Sequence, residues 1–79
     1  MTFEEFRGRL ADAIDIELDT YGAASRLSDD LMLDSISVFE FGLAMEELVG
    51  RELPDELLEG IQTLGEAYDW VRSVREVSP

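Results

Sequence analysis

The sequence of 79 residues contains no cysteine, no histidine and no lysine. Without cysteine it can form no disulfide, no thiolate nucleophile and no cysteine-ligated metal site. Without histidine it lacks the usual general base, the usual zinc ligand and the usual partner of a nucleophilic serine. The absence of lysine also removes Schiff-base chemistry. The composition therefore predicts a protein that is not an enzyme and that holds no metal.

Positive charge is scarce, since six arginines stand against 19 acids and the net charge is −13. The imbalance is greatest in residues 29–59, which contain ten acids and a single base, Arg51. Such a chain repels nucleic acid and anionic membranes and attracts basic protein surfaces. No apolar run reaches transmembrane length, and residues 1–5 lack the basic and apolar segments of a secretion signal. We therefore expect a cytoplasmic protein with basic protein partners and with neither nucleic acid nor membrane among them.

The first part of the chain shows a helical pattern, which is followed by a long irregular segment. Thr2 and Glu5 form the pattern of a capping box, and the apolar spacing after them predicts a helix over about residues 3–17. From residue 19 to residue 33 the periodicity is lost, which predicts a long loop. Leu27 and Leu31 are the side chains we expect to anchor this loop in the core.

A second helix is predicted to open at Asp34 or Ser35 and to end at Gly50. Its apolar residues fall on two faces at about 100° per residue. One face is suited to the core and consists of Val38, Phe41, Met45, Leu48 and Val49. The other, called the docking face here, consists of Ile36, Phe39, Leu43, Glu40, Glu46 and Glu47. Exposed apolar residues rimmed by carboxylates are typical of a docking surface for a basic partner.

Two further helices follow. Leu53-Pro54-Asp55-Glu56 opens a short third helix, which Gly60 limits to about two turns. Thr63 and Glu66 form a second capping box and open the last helix, which is predicted to end near residues 76–79. The sequence thus predicts an all-α fold, a small four-helix bundle of three longer helices and one short helix in one domain over residues 1–79.

Four segments carry a resemblance to a known family. Asp34-Ser35-Ile36 resembles the Asp-Ser-Leu motif of acyl carrier proteins, whose serine holds a 4′-phosphopantetheine arm through a phosphodiester. Residues 27–31, 53–56 and 63–67 match the family at the same spacing, so the resemblance covers most of the chain. The free N–H groups at the start of a helix also favour an attached phosphate at Ser35.

The resemblance implies a role for each matching residue. The arm would be attached to Ser35 between Asp34 and Ile36, and Ile61 lies where the family packs the arm or its cargo. The implied partners are a phosphopantetheinyl transferase, an acyltransferase or acyl/aminoacyl ligase, a ketosynthase and related enzymes with basic docking surfaces, and the chain itself is expected to be a monomer. The implied partner contacts are Ile36, Phe39, Glu40, Leu43, Glu46, Glu47, Asp55 and Glu56.

Three residues depart from the family pattern. Met32 stands where the family often has glycine, Ser37 stands where it usually has an acid, and Phe39 is bulkier than the usual valine. These changes favour a discrete carrier of a polyketide or related secondary pathway over a housekeeping fatty-acid carrier. Two alternatives stay open: a discrete aminoacyl or peptidyl carrier, and an acidic helical adaptor without a prosthetic group.

Overall fold

The computed structural model describes the backbone of residues 1–77 and the side chains of residues 1–75. Its helices are α1 (Phe3–Ile14), α2 (Ser35–Val49), α3 (Asp55–Gly60) and α4 (Leu64–Val77). A single isolated β-bridge between Arg26 and Thr63 is the only strand-like pairing in these residues. The predicted all-α bundle of three longer helices and one short helix is confirmed.

The predicted helix starts agree with the capping side chains. Thr2 and Glu5 form both hydrogen bonds of the capping box at α1. Asp34 is the N-cap of α2, and Glu66 N donates to Thr63 Oγ1 at 3.1 Å at the start of α4. Because each cap accepts from N–H groups that have no partner inside the helix, a short local pattern was sufficient to locate these starts.

The predicted end of α1 at about residue 17 is wrong, because the helix ends at Ile14. Asp15 takes a left-handed conformation, with φ 56°, and its N–H donates to the carbonyl of Ala11. This is a common helix stop, and aspartate tolerates it better than most residues. The prediction for the end of α4 at residues 76–79 is consistent with Val77, and its last two positions lie outside the described residues.

The core lies where α1, α2 and α4 meet. Phe6 and Leu10 of α1, Phe41 and Met45 of α2, and Val71 of α4 are all fully buried. The ring of Tyr68 packs 5.5 Å from that of Phe6, between centroids. By contrast, α3 contributes no fully buried side chain. The three longer helices therefore hold the bundle together, while α3 packs against it from outside.

The loop between α1 and α2 is anchored, as predicted. Leu27 is buried and Leu31 is half-buried against the core, and Leu18 and Leu33 are buried as well. The loop also pairs with the start of α4, since Leu64 N donates to the carbonyl of Ser25 at 3.1 Å. These contacts fix the backbone that leads into α2.

Gly65 marks the closest approach between this loop and α4. A Cβ at Gly65 would lie 2.8 Å from the carbonyl oxygen of Ala23, whereas a Cβ at Gly8 in α1 would meet nothing within 4 Å. We expect Gly65→Ala to lower the free energy of unfolding by about 1–3 kcal/mol, because the backbone at Ala23 or at the start of α4 must shift to make room for the added Cβ. Gly8→Ala should raise it by about 0.5–1 kcal/mol, because alanine favours the helix. Urea denaturation of the two variants checks both signs, and a loss of stability in Gly8→Ala would contradict this packing.

Candidate functional site

Ser35 is the first residue of α2, and its side chain is exposed. The cap of the helix is provided by the residue before it, since Asp34 Oδ1 accepts from Ser37 N at 2.8 Å. Within the described residues the Ser35 hydroxyl makes no hydrogen bond of its own. The hydroxyl is therefore free to be modified, at the end of the helix where the backbone dipole favours an anion.

The apolar residues of the docking face lie in solvent. Ile36 is 69% exposed, Phe39 50% and Leu43 48%. Glu40 and Glu47 beside them are also exposed. On the opposite side of α2, Phe41 and Met45 are buried, and the other core-face residues are half-buried against the core (Val38, Leu48 and Val49). The two faces expected from the periodicity are therefore present. Because the docking face begins at Ile36, it starts directly beside the Ser35 hydroxyl.

Glu46 differs from the other two carboxylates of the docking face. It is half-buried, and its Oε2 accepts from Leu53 N at 3.2 Å. That contact joins the end of α2 to the segment that leads into α3. Glu46 therefore has a structural role that the helical spacing alone did not indicate. Asp55 and Glu56 are exposed in the first turn of α3, where acids suit the helix dipole.

A cavity of about 290 Å³ lies where the loop, α2 and α3 meet. Its lining includes Leu27 of the loop, Val38 of α2, and Leu58 and Ile61 at α3. Leu58 packs close to α2 because residue 42 is glycine, and a Cβ there would lie 2.9 Å from Leu58 Cδ2. Ile61 and Val38 thus line the same cavity, and Val38 lies about one turn of helix after Ser35.

Comparison with known proteins shows which family this chain belongs to. The family model described as "Phosphopantetheine attachment site" matches residues 4–71. The acyl carrier protein of Lactobacillus acidophilus is 32% identical over 71 residues, which are 90% of this chain and 89% of that protein. The chain belongs to the acyl carrier protein family.

Further comparisons support the assignment. The acyl carrier protein of Lactobacillus johnsonii is 35% identical over 77 residues, covering 92% of this chain and 96% of the relative. A solved structure of the acyl carrier protein from Enterococcus faecalis is 43% identical, covers 92% of this chain and 98% of that one, and superposes with a TM-score of 0.70. Like other acyl carrier proteins, the chain is a non-catalytic carrier whose cofactor is covalently attached 4′-phosphopantetheine.

The residues at the start of α2 fit that cofactor. An exposed hydroxyl at a helix N-terminus can take a phosphodiester without displacing any side chain, and Asp34 already caps the helix. No group of three or more candidate metal ligands occurs in the described residues. Nor is any helix of those residues long and apolar enough to cross a membrane.

The Asp34 carboxylate keeps its charge to low pH. The hydrogen bonds from Ser37, that of its backbone N–H first, hold the pKa of Asp34 below its usual value. Its contribution to stability is therefore present above the unfolded pKa of about 3.9 and is lost as the pH falls through the folded pKa. The cap should weaken only in acid.

Asp34→Asn tests this pH dependence, because asparagine can cap a helix without titrating. We expect the difference in melting temperature between wild type and Asp34→Asn to change between pH 6 and pH 3, with the wild type losing more. Asp19→Asn, an exposed acid that forms no cap, removes the same charge and serves as control. An equal pH response in both variants would mean that the charge of Asp34 contributes nothing beyond general repulsion.

Met32 and Leu57 are exposed apolar residues outside the docking face. Met32 is 79% exposed and has φ +59°, so this acyl carrier protein holds a long side chain in a conformation that suits glycine. The departure from the family pattern at residue 32 was the available indication. Met32 precedes Ser35 by three residues, so an exposed apolar side chain lies close in sequence to the start of α2.

Replacing Met32 by glycine should stabilise the fold. The left-handed conformation costs a non-glycine residue about 1–2 kcal/mol, and glycine loses about 0.5–1 kcal/mol through its freer unfolded chain. Because an exposed side chain contributes little packing, we expect a net gain of up to about 1 kcal/mol in the free energy of unfolding. Met32→Ala keeps the unfavourable φ and should show no gain. If guanidinium denaturation shows equal gains in both variants, the backbone explanation is wrong.

Proposed function

We propose that this acyl carrier protein bears its 4′-phosphopantetheine arm on Ser35 and serves a polyketide or related secondary pathway. The observation that carries the attachment site is the exposed Ser35 hydroxyl, left without a hydrogen bond because Asp34 caps the helix. The thiol of the bound arm would hold the acyl group as a thioester. The chain itself supplies position: it displays the hydroxyl to the phosphopantetheinyl transferase and later displays the arm to other enzymes.

The docking face is the surface that we propose partners bind. Ile36, Phe39 and Leu43 supply exposed apolar contacts, and Glu40 and Glu47 supply charge for basic partners. Asp55 and Glu56 extend the acidic surface onto α3. Glu46 adds a further charge near the end of α2, where its carboxylate accepts a hydrogen bond from Leu53 N. Contacts of this kind bind weakly and release quickly, which suits a carrier that visits an acyltransferase or acyl ligase and then a ketosynthase.

The cavity beside Val38 and Ile61 is where we propose that the arm or the start of its cargo packs. At about 290 Å³ it is small, and its lining combines apolar side chains with the polar side chains of Arg26, Ser28, Glu59 and Gln62. A short or partly polar acyl group fits such a space better than a long saturated chain. This supports a polyketide-type cargo over a long fatty acyl chain.

The pathway proposal rests on residues around Ser35. Met32 and Phe39 present more apolar surface than the family pattern, and Ser37 presents less charge. A changed surface next to the modified serine indicates a dedicated set of partners. We further propose that the protein acts in the cytoplasm as a monomer.

Loading assays separate the candidate cargos. After arm attachment, the protein is incubated with donors of malonyl, acetoacetyl, palmitoyl and aminoacyl groups and their loading enzymes, and its intact mass is measured. We expect malonyl and short β-ketoacyl groups to load well and palmitoyl poorly. Efficient loading by an aminoacyl ligase alone would replace this proposal with the aminoacyl carrier. Failure of arm attachment would favour an acidic helical adaptor.

A further inference from the structure

A second groove lies between α3 and α4. It has a volume of about 370 Å³, and its lining residues all belong to α3, to α4 or to Ile61 directly after α3. Leu57, Ile61 and Trp70 form its apolar part. No residue of α2 lines it, so it is distinct from the docking face. Ile61 is the one residue that it shares with the cavity beside Val38, and Glu56 belongs also to the acidic surface of α3 described above.

The rim of this groove is acidic throughout. Glu56, Glu66 and Asp69 line it, and no lining residue is basic. Glu66 is held in place, because its Oε1 accepts from Thr63 N at 3.1 Å and from Gln62 N at 3.2 Å. Its charge therefore occupies a fixed position beside the apolar surface.

Leu57 is an exposed apolar residue that is not part of the buried core. It is 50% exposed, it lies on the one helix that contributes no fully buried residue, and it is not part of the docking face. Trp70 beside it is half-buried. An open apolar surface ringed by carboxylates offers apolar contact and one sign of charge at the same place.

We propose that the groove between α3 and α4 is a second docking site, which receives a basic amphipathic helix of a partner protein. Its volume admits one or two apolar side chains, so a leucine or phenylalanine of that helix would insert between Leu57 and Trp70. Flanking arginine or lysine residues would then meet Glu56 and Asp69, which gives the charge complementarity that selects this partner. A partner held here would leave the start of α2 open. The inference does not depend on the modification of Ser35.

Trp70 is the only tryptophan in the chain and therefore reports on the groove. The probe is a synthetic amphipathic helical peptide with arginines around one central leucine, titrated into the arm-free protein. We expect a saturable shift of Trp70 fluorescence, with matching binding by calorimetry. A peptide with serine in place of the leucine should bind at least about tenfold more weakly, because the apolar anchor is lost.

Charge-reversed variants identify the binding surface. Glu56→Arg with Asp69→Arg should weaken peptide binding at least about tenfold, because both rim charges change sign. The control is Glu59→Arg, which changes one charge on the same helix but lines the other cavity, and it should change affinity by no more than about threefold. If the double variant does not fold, Glu56→Gln with Asp69→Asn is measured instead, and a smaller loss in the same direction is expected.

Several results would overturn this proposal. Binding without a change in Trp70 fluorescence would place the peptide elsewhere, and the absence of saturable binding would remove the site altogether. Equal affinity of the leucine and serine peptides would show non-specific attraction to an acidic protein. A larger effect from Glu59→Arg than from the double variant would do the same. None of these results bears on arm attachment, so the proposal for Ser35 is judged separately.

Discussion

Replacing Ser35 by alanine should abolish attachment of the phosphopantetheine arm and leave the fold intact. The hydroxyl oxygen is the atom that must form the bond to phosphorus, and no neighbouring side chain can take its place in the same position. The Ser35 side chain is exposed and Asp34 caps the helix, so removing the hydroxyl leaves no buried group without a partner. Alanine is also a favourable residue in a first turn.

Two other serines provide the controls for this variant. Ser37 lies two residues after Ser35 in α2, and Ser28 lies in the loop before α2. Both are therefore close in sequence to the proposed site. Ser37→Ala and Ser28→Ala should gain the arm's mass in full after incubation with coenzyme A and a broad-specificity transferase. If Ser35→Ala gains the arm while one of the controls does not, the attachment site has been assigned to the wrong serine.

Reversing Glu40 and Glu47 to arginine should slow arm attachment by about tenfold or more and leave the melting curve nearly unchanged. Both side chains are exposed, and exposed charges contribute less than about 1 kcal/mol each to stability. Complementary charges can nevertheless raise the association rate with a basic surface by orders of magnitude. The wild-type rate should fall with added salt, because screening weakens this attraction.

The structure determines which acids are suitable for this test. Glu46 is left unchanged because it accepts a hydrogen bond from Leu53, so its reversal would mix stability with recognition. Asp12 and Glu17 are the control pair, since both are exposed and lie outside α2 and α3. Asp15 is avoided because it adopts the left-handed conformation that ends α1. Equal slowing in the two double variants would mean that net charge alone matters and that the docking face is only a solvated surface.

The sequence was a good guide wherever a structure is fixed by a few neighbouring residues. The caps at Thr2, Asp34 and Thr63 each depend on a side chain and N–H groups within three residues, so the starts of α1, α2 and α4 could be predicted. The two faces of α2 follow from the helical period and the positions of its carboxylates. The family resemblance added the likeness of Ser35 to a modified serine, which local physics alone could not supply.

Features that depend on contacts between elements could not be predicted in this way. The helical spacing placed Glu46 with Glu40 and Glu47, but the loop to α3 folds back and brings Leu53 N to its carboxylate. The apolar spacing predicted that α1 continues past Ile14, because that spacing contains no information on the left-handed conformation at Asp15. The sequence groups Leu57 with Leu58 and Ile61 on a small apolar face of α3, and only the structure shows that Leu57 is 50% exposed.

The intact mass of the wild-type protein, measured after incubation with coenzyme A and a broad-specificity phosphopantetheinyl transferase, tests the central claim most directly. The protein used is expressed without such a transferase, so that any gain in mass comes from the reaction. We predict complete conversion to a form heavier by one phosphopantetheinyl arm, with fragmentation placing the added mass on the peptide that contains Asp34-Ser35-Ile36. A mass that stays unchanged, under conditions that fully convert another acyl carrier protein, would contradict the proposal that this chain is a functioning carrier.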